Sequence, residues 1–483
     1  MDEARVLSRG RYDDGSRDVP EGTEGPVGRV LVVGAGIAGL TVANALHHAG
    51  VECVVLEARG RVGGRLHTVD LGGSPVDLGG SWLHHPSGNP LRRFAREVGI
   101  ACRPGDPLPD LAGFDLATGR WLSHQELEES PAGDPGGLVS ALGRLRDQLG
   151  PGASAADGIE AFLSASDLAG DALRRARQGL RAHVEADAAG AAEEQSLRWL
   201  WTQDEYDEAY FGDLPRAGYA TVVDALASGL DVRLDRPVTR VELTGEGVRV
   251  SSEEGQAESG SHVVVAVPLG VLRSGAIEFE PPVPQERSRV VSRLGFGRYE
   301  KVVLRFAQPF WREAGWFHLL LFPTDPAEPA TWIFDLEAFG LGPVLACHVF
   351  HSATGQVSAA SPDAAARWVT DRLAAVLGGP CPEPVAVAVT GWADDPYARG
   401  AYTHVTPGSS NADLDLLGTP LAGRILFAGE HTQSARVGYA DGAMTSGIRE
   451  AKRLLGVPTV WLGRVGRPPD VGTSSARLGG PPR

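Results

Sequence analysis

A glycine-rich turn between a predicted strand and a predicted helix is the feature that most restricts how this chain can fold. The run Arg29–Val33 is short and apolar, and the residues from Ile37 to His48 follow with helical spacing. Between them the sequence reads GAGIAG, with glycines at Gly34, Gly36 and Gly39. In such a turn the first glycine permits a tight bend, the second lets backbone N–H groups approach a pyrophosphate, and the third allows close packing of helix on strand. The turn therefore predicts the βαβ opening of a dinucleotide-binding domain.

An acidic residue after the second predicted strand supports this interpretation. Val51–Leu56 is a second buried-type run, and Glu57 follows it about 20 residues after the glycine turn. A carboxylate at that position accepts the 2′-hydroxyl of an adenosine ribose and disfavours a 2′-phosphate. The N-terminus of the helix adds partial positive charge for the phosphates. We therefore predict a dinucleotide site that includes Gly34, Gly36, Ile37, Ala38, Gly39 and Glu57.

Composition and charge exclude several classes of protein. With 42% hydrophobic and 22% charged residues, the chain has a globular composition. Its formal net charge of −16 disfavours nucleic acid or an anionic membrane as a partner and suits a cationic small molecule. The four cysteines are far apart and form no CxxC pair, so the sequence predicts neither a metal site nor a disulfide framework.

The ends of the chain and its residue usage bear on where the protein works. No apolar run reaches the about 18 residues of a membrane span. Residues 1–28 lack the apolar core of a secretory signal. These features predict a cytoplasmic protein. Lys301 and Lys452 are the only lysines, and this preference for arginine predicts a bacterial source.

Apolar segments place sheet-forming sequence at the start, middle and end of the chain. Beyond the opening unit, the predicted strands are Val232–Leu234, Val238–Leu243, Val248–Val250, His262–Val267, Lys301–Phe306 and Arg424–Phe427. The polar residues 251–261 predict a turn, residues 103–190 an inserted helical region, and Ala443–Leu455 the closing helix. Residues 1–26 and 463–483 predict flexible tails. The pattern predicts a discontinuous nucleotide-binding domain interleaved with a second domain.

Five further segments carry sequence patterns in a fixed order. They are Glu57–Arg65 (EARGRVGGR), Asp77–His84 (DLGGSWLH), Gly295–Trp311 around Lys301, Trp392–Tyr402 (WADDPYARGAY) and Phe427–Ala443 with GEHT and GYADGA. Together they resemble the flavin-containing amine oxidase family, the superfamily of polyamine oxidases, monoamine oxidases and flavin-type histone lysine demethylases. The SWxH form at Ser81–His84 is closest to the polyamine oxidases. The helical region 103–190 carries no part of the resemblance.

The resemblance implies an α/β fold with a discontinuous Rossmann-like domain that binds FAD. That domain would comprise residues 27–100, 212–283 and 411–460. Residues 101–211 and 284–410 would form an α+β substrate-binding domain. Beyond the residues named above, the implied FAD contacts are Ala58, Arg59, Gly64, Arg65, Gly80, Ser81, Trp82, Val238, Trp392, Gly429, Glu430, Tyr439 and Ala440. Ala401 stands where members with covalent flavin carry cysteine, so the implied FAD is non-covalent.

Four residues are implied to act in catalysis. Lys301 would lie near flavin N5 through a bridging water, and His84 would meet the substrate. Tyr402 and Tyr439 would flank the flavin face as an aromatic cage for the amine. A buried lysine is costly unless it has partners, which favours a functional Lys301 over a snorkelling lysine on an edge strand. The alternatives are a solvent-facing pair of His84 with His85, and ordinary packing for either tyrosine.

The resemblance also implies a reaction. An amine gives a hydride from its α-carbon to flavin N5, O2 reoxidises the flavin to yield H2O2, and water hydrolyses the imine. The SWxH form and the acidic balance favour a polyamine substrate. A cluster of acidic residues supports the same substrate unless it is only a solvated face. The cluster comprises Asp204, Glu205, Asp207 and Glu208.

Two other functions stay open. One is an FAD-dependent oxidase of L-amino acids or of secondary-metabolite amines. An amino-acid oxidase would need an arginine facing the flavin, and the sequence alone does not place Arg298, Arg305 or Arg436 there. The other is a non-catalytic FAD-binding module, which would have no use for Lys301 and two cage tyrosines. The sequence leaves the oligomeric state open.

Overall fold

A computed structural model of the chain describes residues 11–14, 22–105, 111–202, 211–358 and 360–464. The strands of these ranges are β1 Arg11–Tyr12, β2 Val30–Val33, β3 Cys53–Leu56, β4 Thr68–Asp70, β5 Pro75–Asp77, β6 Cys102–Pro104, β7 Leu111–Asp115, β8 Arg120–Trp121, β9 Asp213–Pro215, β10 Asp231–Arg233, β11 Val238–Leu243, β12 Val248–Ser252, β13 Ala257–Gly260, β14 His262–Val265, β15 Glu278–Glu280, β16 Gly295–Phe296, β17 Tyr299–Arg305, β18 His318–Phe322, β19 Thr331–Asp335, β20 Val344–Phe350, β21 Ala386–Val389, β22 Thr403–His404, β23 Ile425–Phe427 and β24 Val460–Trp461.

The α-helices are α1 Ile37–His48, α2 Pro90–Glu97, α3 His124–Glu128, α4 Gly136–Leu149, α5 Ala155–Ser164, α6 Gly170–Ala188, α7 Ala220–Ala227, α8 Leu269–Ser274, α9 Gln285–Arg293, α10 Phe310–Glu313, α11 Gly355–Ser358, α12 Pro362–Leu377, α13 Asn411–Leu417 and α14 Ala440–Leu455. Short 3-10 helices lie at Leu197–Trp199, Glu337–Phe339, His351–Ala353 and Glu430–Thr432. In the described ranges, no helix combines the length and the apolar character that a membrane span requires.

The central sheet is parallel, with strand order β10-β3-β2-β14-β23. β2, β14 and β23 are buried along their whole length, which explains their apolar sequences. Their last residues are in register, since Val265 pairs with both Val33 and Phe427. The turns that follow these strands therefore meet at one edge of the sheet. The predicted mixed α/β class with a parallel sheet is confirmed, while the interleaved domain boundaries stay a prediction.

Two helices begin at that same edge. α1 follows β2, and α14 follows β23 after the 3-10 helix Glu430–Thr432. The two helices pack closely, because a Cβ at Gly447 would lie 2.5 Å from the Ala38 carbonyl oxygen. Both N-termini thus point toward the carboxyl edge of the sheet, where their partial positive charge favours an anion.

A second sheet has seven strands in the order β21-β17-β20-β19-β18-β7-β8. Apart from the parallel pair of β18 with β7, its pairings are antiparallel. β17 pairs with β20 over its whole length and places Lys301 opposite His348. The sequence predicted only part of this sheet. Several of its strands are buried at every residue, so they lack the alternation of apolar and polar residues that marks a half-buried strand.

Two sequence predictions of secondary structure were wrong in part. Residues 251–261, predicted to be a turn, contain the end of β12 and the strand β13. β13 is an exposed polar edge strand, so it lacks the apolar residues that mark a strand. The region 103–190 is not only helical, because it begins with β7 and β8 of the seven-stranded sheet. Its longest helix, predicted at Asp171–Val184, is α6.

Residues 11–14 were predicted to belong to a flexible tail, but the structure shows them packed against the rest of the chain. β1 pairs with β24, and Tyr12 is 2% exposed with its hydroxyl donating to Glu97 Oε2 at 2.8 Å. Lys452 Nζ, at the end of α14, donates to Asp14 Oδ1 at 2.5 Å. A two-residue strand and one aromatic residue are too short to give a periodic signal, so the sequence could not indicate this docking.

Candidate active site

A cavity of about 1070 Å³ begins at the carboxyl edge of the parallel sheet and extends to the seven-stranded sheet. Its volume lies just above the about 300–1,000 Å³ typical of ligand sites. Most of the residues predicted from the sequence line it together. They are Gly34, Gly36, Ile37, Ala38, Glu57, Ala58, Arg59, Gly64, Arg65, Gly80, Ser81, Trp82, His84, Val238, Lys301, Trp392, Ala401, Tyr402, Gly429, Glu430, Tyr439 and Ala440.

The glycine turn has the geometry that its sequence predicts. Gly34 has φ +103°, and a Cβ there would lie 2.7 Å from the Ala266 carbonyl oxygen. Gly39 does not line the cavity, and its Cβ would lie 2.0 Å from the Gly34 carbonyl oxygen, so it serves helix packing. A Cβ at Gly36 would meet no atom within 4 Å, and one at Gly64 would meet only the Gly36 Cα at 3.5 Å. These two glycines leave open space at the helix N-terminus, which fits a pyrophosphate.

Glu57 and Arg59 are fixed beside the glycine turn. Glu57 is 4% exposed, and its carboxylate accepts the backbone N–H groups of Ala35 at 2.7 Å and Arg59 at 2.9 Å. The Arg59 guanidinium donates to Asp395 Oδ2 at 2.8 Å. Asp395 belongs to the Trp392–Tyr402 pattern, so two separate motifs meet at this end of the cavity.

Arg65 and Glu430 form a second connection between motifs. Arg65 Nη1 donates to Glu430 Oε1 at 2.9 Å and to the Ala401 carbonyl oxygen at 2.7 Å. Glu430 Oε2 accepts the Gly438 N–H at 3.0 Å. Burial opposes ionisation of Glu430, but the Arg65 charge and the hydrogen bonds outweigh it and lower the pKa. Glu430 is therefore an anion that holds both Arg65 and the turn before α14.

Lys301 is buried on the cavity wall and fully hydrogen-bonded. Its Nζ donates to the carbonyl oxygens of Gly79 at 2.6 Å and Asp77 at 3.1 Å, and to Ser81 Oγ at 2.7 Å. Burial lowers its pKa to about 8, against the raising effect of Asp77. β17 lies between β21 and β20, so the alternative of a snorkelling lysine on an edge strand is wrong.

The two tryptophans of the predicted site are held in different ways. Trp392 Nε1 donates to the Leu78 carbonyl oxygen at 3.1 Å, next to the segment that binds Lys301. The backbone N–H of Trp392 donates to the buried Glu300 carboxylate at 3.1 Å. Trp82 packs edge-on against Phe211 and Phe339, with ring centroids 5.3 and 5.2 Å away. Both indoles are thus part of the cavity wall and of its supporting packing.

The predicted cage tyrosines are both held by the last turn of α6. The Tyr402 hydroxyl donates to the Ala186 carbonyl oxygen at 2.5 Å, and the Tyr439 hydroxyl to Asp187 Oδ1 at 3.2 Å. His84 meets the Tyr439 ring edge-on at 5.3 Å. His85 is 2% exposed, so the alternative of a solvent-facing histidine pair is wrong.

One side of the cavity was not predicted from the sequence. Its walls come from α6, from strands of the seven-stranded sheet and from neighbouring loops, and no site role was assigned from the sequence to the residues that these elements contribute there. The lining residues there include His183, Asp187, Trp201, Phe211, Tyr299, Trp332, Phe334, His348, Phe350 and Arg436. Burial lowers the pKa of His183 to about 4, and that of His348 well below its ordinary value, so both imidazoles are neutral. The acidic cluster Asp204–Glu208 lies outside the described residues.

An amino-acid oxidase would need an arginine that faces the flavin, and the structure shows which of the three candidate arginines line the cavity. Of Arg298, Arg305 and Arg436, only Arg436 lines the cavity. Its guanidinium is bound by Asp441, with Nε 2.8 Å from Oδ2 and Nη2 3.4 Å from Oδ1, and lies over the Tyr439 ring at 4.0 Å from the centroid. Of these three arginines, the one that lines the cavity is therefore paired with a carboxylate.

Comparisons with known proteins agree with this geometry. The sequence model of the family described as flavin containing amine oxidoreductase matches residues 37–455. Polyamine oxidase 2 of Arabidopsis thaliana is 30% identical over 435 residues, which are 88% of this chain and 87% of that protein. Lysine-specific histone demethylase 1 homolog 2 of Oryza sativa is 32% identical over 446 residues, 90% of this chain and 58% of that protein. Homolog 3 of Arabidopsis thaliana is 31% identical over 488 residues, 89% of this chain and 30% of that protein.

The chain thus spans 58% and 30% of the length of these two demethylase relatives, but most of the polyamine oxidase. The family match begins at Ile37, inside the glycine turn, and runs through the lysine strand and the C-terminal motif in one alignment. This agrees with the family, the cofactor and the enzyme class predicted from the sequence. The chain belongs to the flavin-containing amine oxidoreductase family.

Proposed function

We propose that this enzyme oxidises polyamines with a non-covalently bound FAD. The observation that carries the proposal is the carboxylate of Asp187, which lines the cavity and accepts the hydroxyl of a cage tyrosine at 3.2 Å. A polyamine keeps distal nitrogens protonated while its reacting nitrogen is neutral, so a carboxylate beside the cage suits it. Similarity to proteins named polyamine oxidases supports the same class of substrate.

The residues of the cavity fit FAD. The open backbone between Gly36 and Gly64 would take the pyrophosphate, Glu57 the ribose, and Arg65 a phosphate charge. When bound, FAD supplies the redox chemistry by accepting a hydride from the amine α-carbon and passing two electrons to O2. None of the four cysteines lines the cavity, and Ala401 does, which supports non-covalent binding.

The protein groups around the reacting amine bind and orient it. Tyr402 and Tyr439 would hold the neutral nitrogen between two aromatic faces. The buried imidazoles of His183 and His348 are neutral, so they add no positive charge that would repel a cationic substrate. His84, whose ring meets Tyr439 edge-on, would contact the same nitrogen. The unprotonated amine is the form that can lose a hydride.

Lys301 would act in the second half of the reaction. As O2 is reduced, negative charge develops on oxygen, and a fixed ammonium near that position lowers the energy of the charged state. The three hydrogen bonds to the segment from Asp77 to Ser81 hold Nζ in place without free rotation. This role is the reason we expect a lysine, and not a neutral residue, on a buried strand.

A second candidate substrate is an α-amino acid, because Arg436 lines the cavity. A substrate carboxylate would need the guanidinium that Asp441 already holds at 2.8 Å. If a substrate carboxylate replaced Asp441 as the partner of Arg436, the Asp441 carboxylate, which is 2% exposed, would stay buried without its positively charged partner. This cost favours an amine without a carboxylate.

A peroxide-coupled screen tests the proposal. Substrates are spermidine, spermine, acetylated polyamines, benzylamine, a methyl-lysine peptide and L-amino acids. We expect a polyamine to have the highest kcat/KM. Asp187→Asn should lower kcat/KM for that polyamine at least about 10-fold and for benzylamine by much less, because only the polyamine offers a distal cation. A best substrate that is an L-amino acid, a monoamine or the peptide would contradict the polyamine assignment. Absence of peroxide with every amine would instead support a non-catalytic protein.

A further inference from the structure

Lys301 is a buried cation whose contacts are all neutral. Its Nζ is bound by two carbonyl oxygens and one hydroxyl, and the side chain belongs to a residue that is 7% exposed. Within the described ranges, no carboxylate lies within ion-pair distance of Nζ. Burial alone pushes such a lysine toward its neutral form, and its pKa is lowered to about 8. A lysine in this position therefore needs a counter-charge nearby to remain an ammonium.

The carboxylate of Asp77 is the charge that acts on Lys301. The Asp77 main-chain carbonyl oxygen accepts from Nζ at 3.1 Å, so the carboxylate of the same residue lies near the ammonium, although outside ion-pair distance. Burial raises the pKa of Asp77 to about 6, against the lowering effects of the hydrogen bonds from Thr68 and Tyr219 and, last, of the Lys301 ammonium. The carboxylate also accepts from Thr68 Oγ1 at 2.5 Å and from the Tyr219 N–H at 3.0 Å.

The other titratable groups around Lys301 do not supply this charge. Glu300 is its neighbour on β17 and is bound on the other side of the strand by Thr390 and Trp392. His348, opposite Lys301 on β20, is neutral, and its Nδ1 is bound to the Tyr299 hydroxyl at 2.6 Å. Neither group can therefore balance the ammonium as Asp77 does.

We propose that Asp77 is a positioning residue that supplies the counter-charge of Lys301 and keeps its ammonium charged beside the flavin site. The inference rests on the role proposed above for Lys301. In reoxidation, two electrons and two protons pass from reduced flavin to O2, giving oxidised flavin and H2O2. The ammonium stabilises the negative charge that develops on oxygen, so loss of the Asp77 charge narrows the pH range over which that step is fast.

Asp77 also has a structural task that the test must separate from its charge. Its carboxylate accepts the N–H of Tyr219, just before α7, and Thr68 Oγ1 accepts the N–H of Ala220 at 2.9 Å. Asp77→Asn removes the charge and keeps an acceptor oxygen for Tyr219. Thr68→Val is the matched control, because it removes a hydrogen bond of the same anchor and leaves the carboxylate in place.

The two-lysine composition permits a direct titration. In holoenzyme labelled with 13C-lysine, Lys301 and Lys452 give the only lysine side-chain signals, and Lys301→Met assigns them. We expect the Lys301 signal to titrate near pH 8 in the wild type and about one pH unit lower in Asp77→Asn. The midpoint should stay within about 0.3 units in Thr68→Val, and the Lys452 signal should not move in either variant.

Stopped-flow reoxidation by O2 gives an independent readout. The dithionite-reduced enzyme needs no amine, so this measurement does not depend on the substrate. The decline of the rate at high pH should move down by the same shift in Asp77→Asn. An unchanged Lys301 midpoint in Asp77→Asn, or an equal shift in Thr68→Val, would overturn the proposal. A shifted midpoint with unaltered reoxidation in Lys301→Met would instead refute the role of the lysine. If Asp77→Asn yields no folded holoenzyme, Asp77→Ser tests the same charge.

Discussion

Tyr439 is restrained on three sides before any amine arrives. Asp187 holds its hydroxyl, the Arg436 guanidinium lies 4.0 Å from its ring centroid, and His84 meets its edge at 87°. Asp441 fixes Arg436 in turn. A ring held in this way loses little conformational entropy when a ligand binds to its open face. The side chain is therefore preorganised for one orientation of a substrate.

Replacing Tyr439 tests whether that ring positions the amine. Tyr439→Ala should lower kcat/KM for the best amine about 10- to 100-fold, which corresponds to ~1.4–2.7 kcal/mol of transition-state binding. Tyr439→Phe is the control, because it keeps the ring and loses only the bond to Asp187, so its effect should be smaller. Steady-state kinetics with equal flavin content decide. A Tyr439→Ala enzyme within twofold of wild type would mean that the ring is only packing.

The residue at position 401 supports the proposal that the flavin is bound without a covalent bond. Ala401 lines the cavity, and no cysteine does among the described residues. Acid precipitation should therefore release all of the flavin into the supernatant, because no thiol is available to bond it. The absorbance of the supernatant and of the washed pellet measures this. Yellow colour that remains in the pellet would show a covalent bond formed elsewhere.

Residues that act through a local motif could be predicted from the sequence, and residues that act across the fold could not. Gly36 and Lys301 were found because their neighbours in the sequence define their position. Asp187 and Arg436 line the same cavity, but α6 carries no motif and Arg436 gains its meaning only from Tyr439 and Asp441. The hydrogen bond between Tyr439 and Asp187 joins residues 252 positions apart, and such a bond leaves no trace in a single sequence. Arg436 and Asp441 are only five positions apart, but their pairing forms no recognised motif.

At the level of elements, α14 is anchored at both ends. Its first residues border the cavity, and Lys452 near its last turn is 0% exposed and bonded to Asp14 in the N-terminal segment. The pairing of β1 with β24 and the buried Tyr12 hold that segment against the domain. The N-terminal segment thus stabilises a helix whose other end forms part of the active site.

Removing the ion pair between Lys452 and Asp14 should destabilise the protein without changing the reaction that it catalyses. Asp14→Ala should lower the free energy of unfolding by about 1–3 kcal/mol, because it removes an ionic partner from a buried ammonium. The exposed neighbour Asp13 provides the control variant Asp13→Ala. Denaturant unfolding of the holoenzyme measures both. Equal stabilities for the two variants would show that Lys452 does not depend on Asp14.

Some strands of the fold could be predicted from the sequence, and others could not. The central strands β2, β3, β11 and β14 were predicted to within about two residues, because continuous apolar runs bounded by turns leave little choice. β13 is polar, β7 (LAGFD) is interrupted by glycine, and β8 has only two residues, so none of them forms a clear apolar run. These strands are therefore determined by tertiary contacts. For β7 and β8, the helical patterns that follow them in the sequence led to the prediction of a wholly helical region.

At the scale of the whole molecule, the acidic surface should affect how substrates arrive. There are 61 acidic against 45 basic residues, so the field around the protein attracts cations. This field is long-ranged at low ionic strength, and it is screened within about 8 Å at physiological ionic strength. Its influence should therefore be strongest on a substrate that carries several charges.

A salt series tests this effect. Raising NaCl from about 10 to about 300 mM should reduce kcat/KM for spermidine several-fold and should affect benzylamine much less, because the attraction scales with substrate charge. Asp187→Asn should keep nearly the same dependence on salt, since it changes the net charge of −16 by only one unit. A spermidine rate that does not respond to salt would place all recognition inside the cavity.

The burial of both lysines has a chemical consequence for an oxidase of amines. Such an enzyme releases aldehydes, and aldehydes condense with exposed primary amines to form adducts that accumulate over many turnovers. Lys301 is 7% exposed and Lys452 is 0% exposed, and the sequence contains no other lysine. Its positive surface charge is carried by arginine, which does not form a simple imine under these conditions. Under the proposed function, the surface of the chain therefore offers no lysine amine to the aldehyde product.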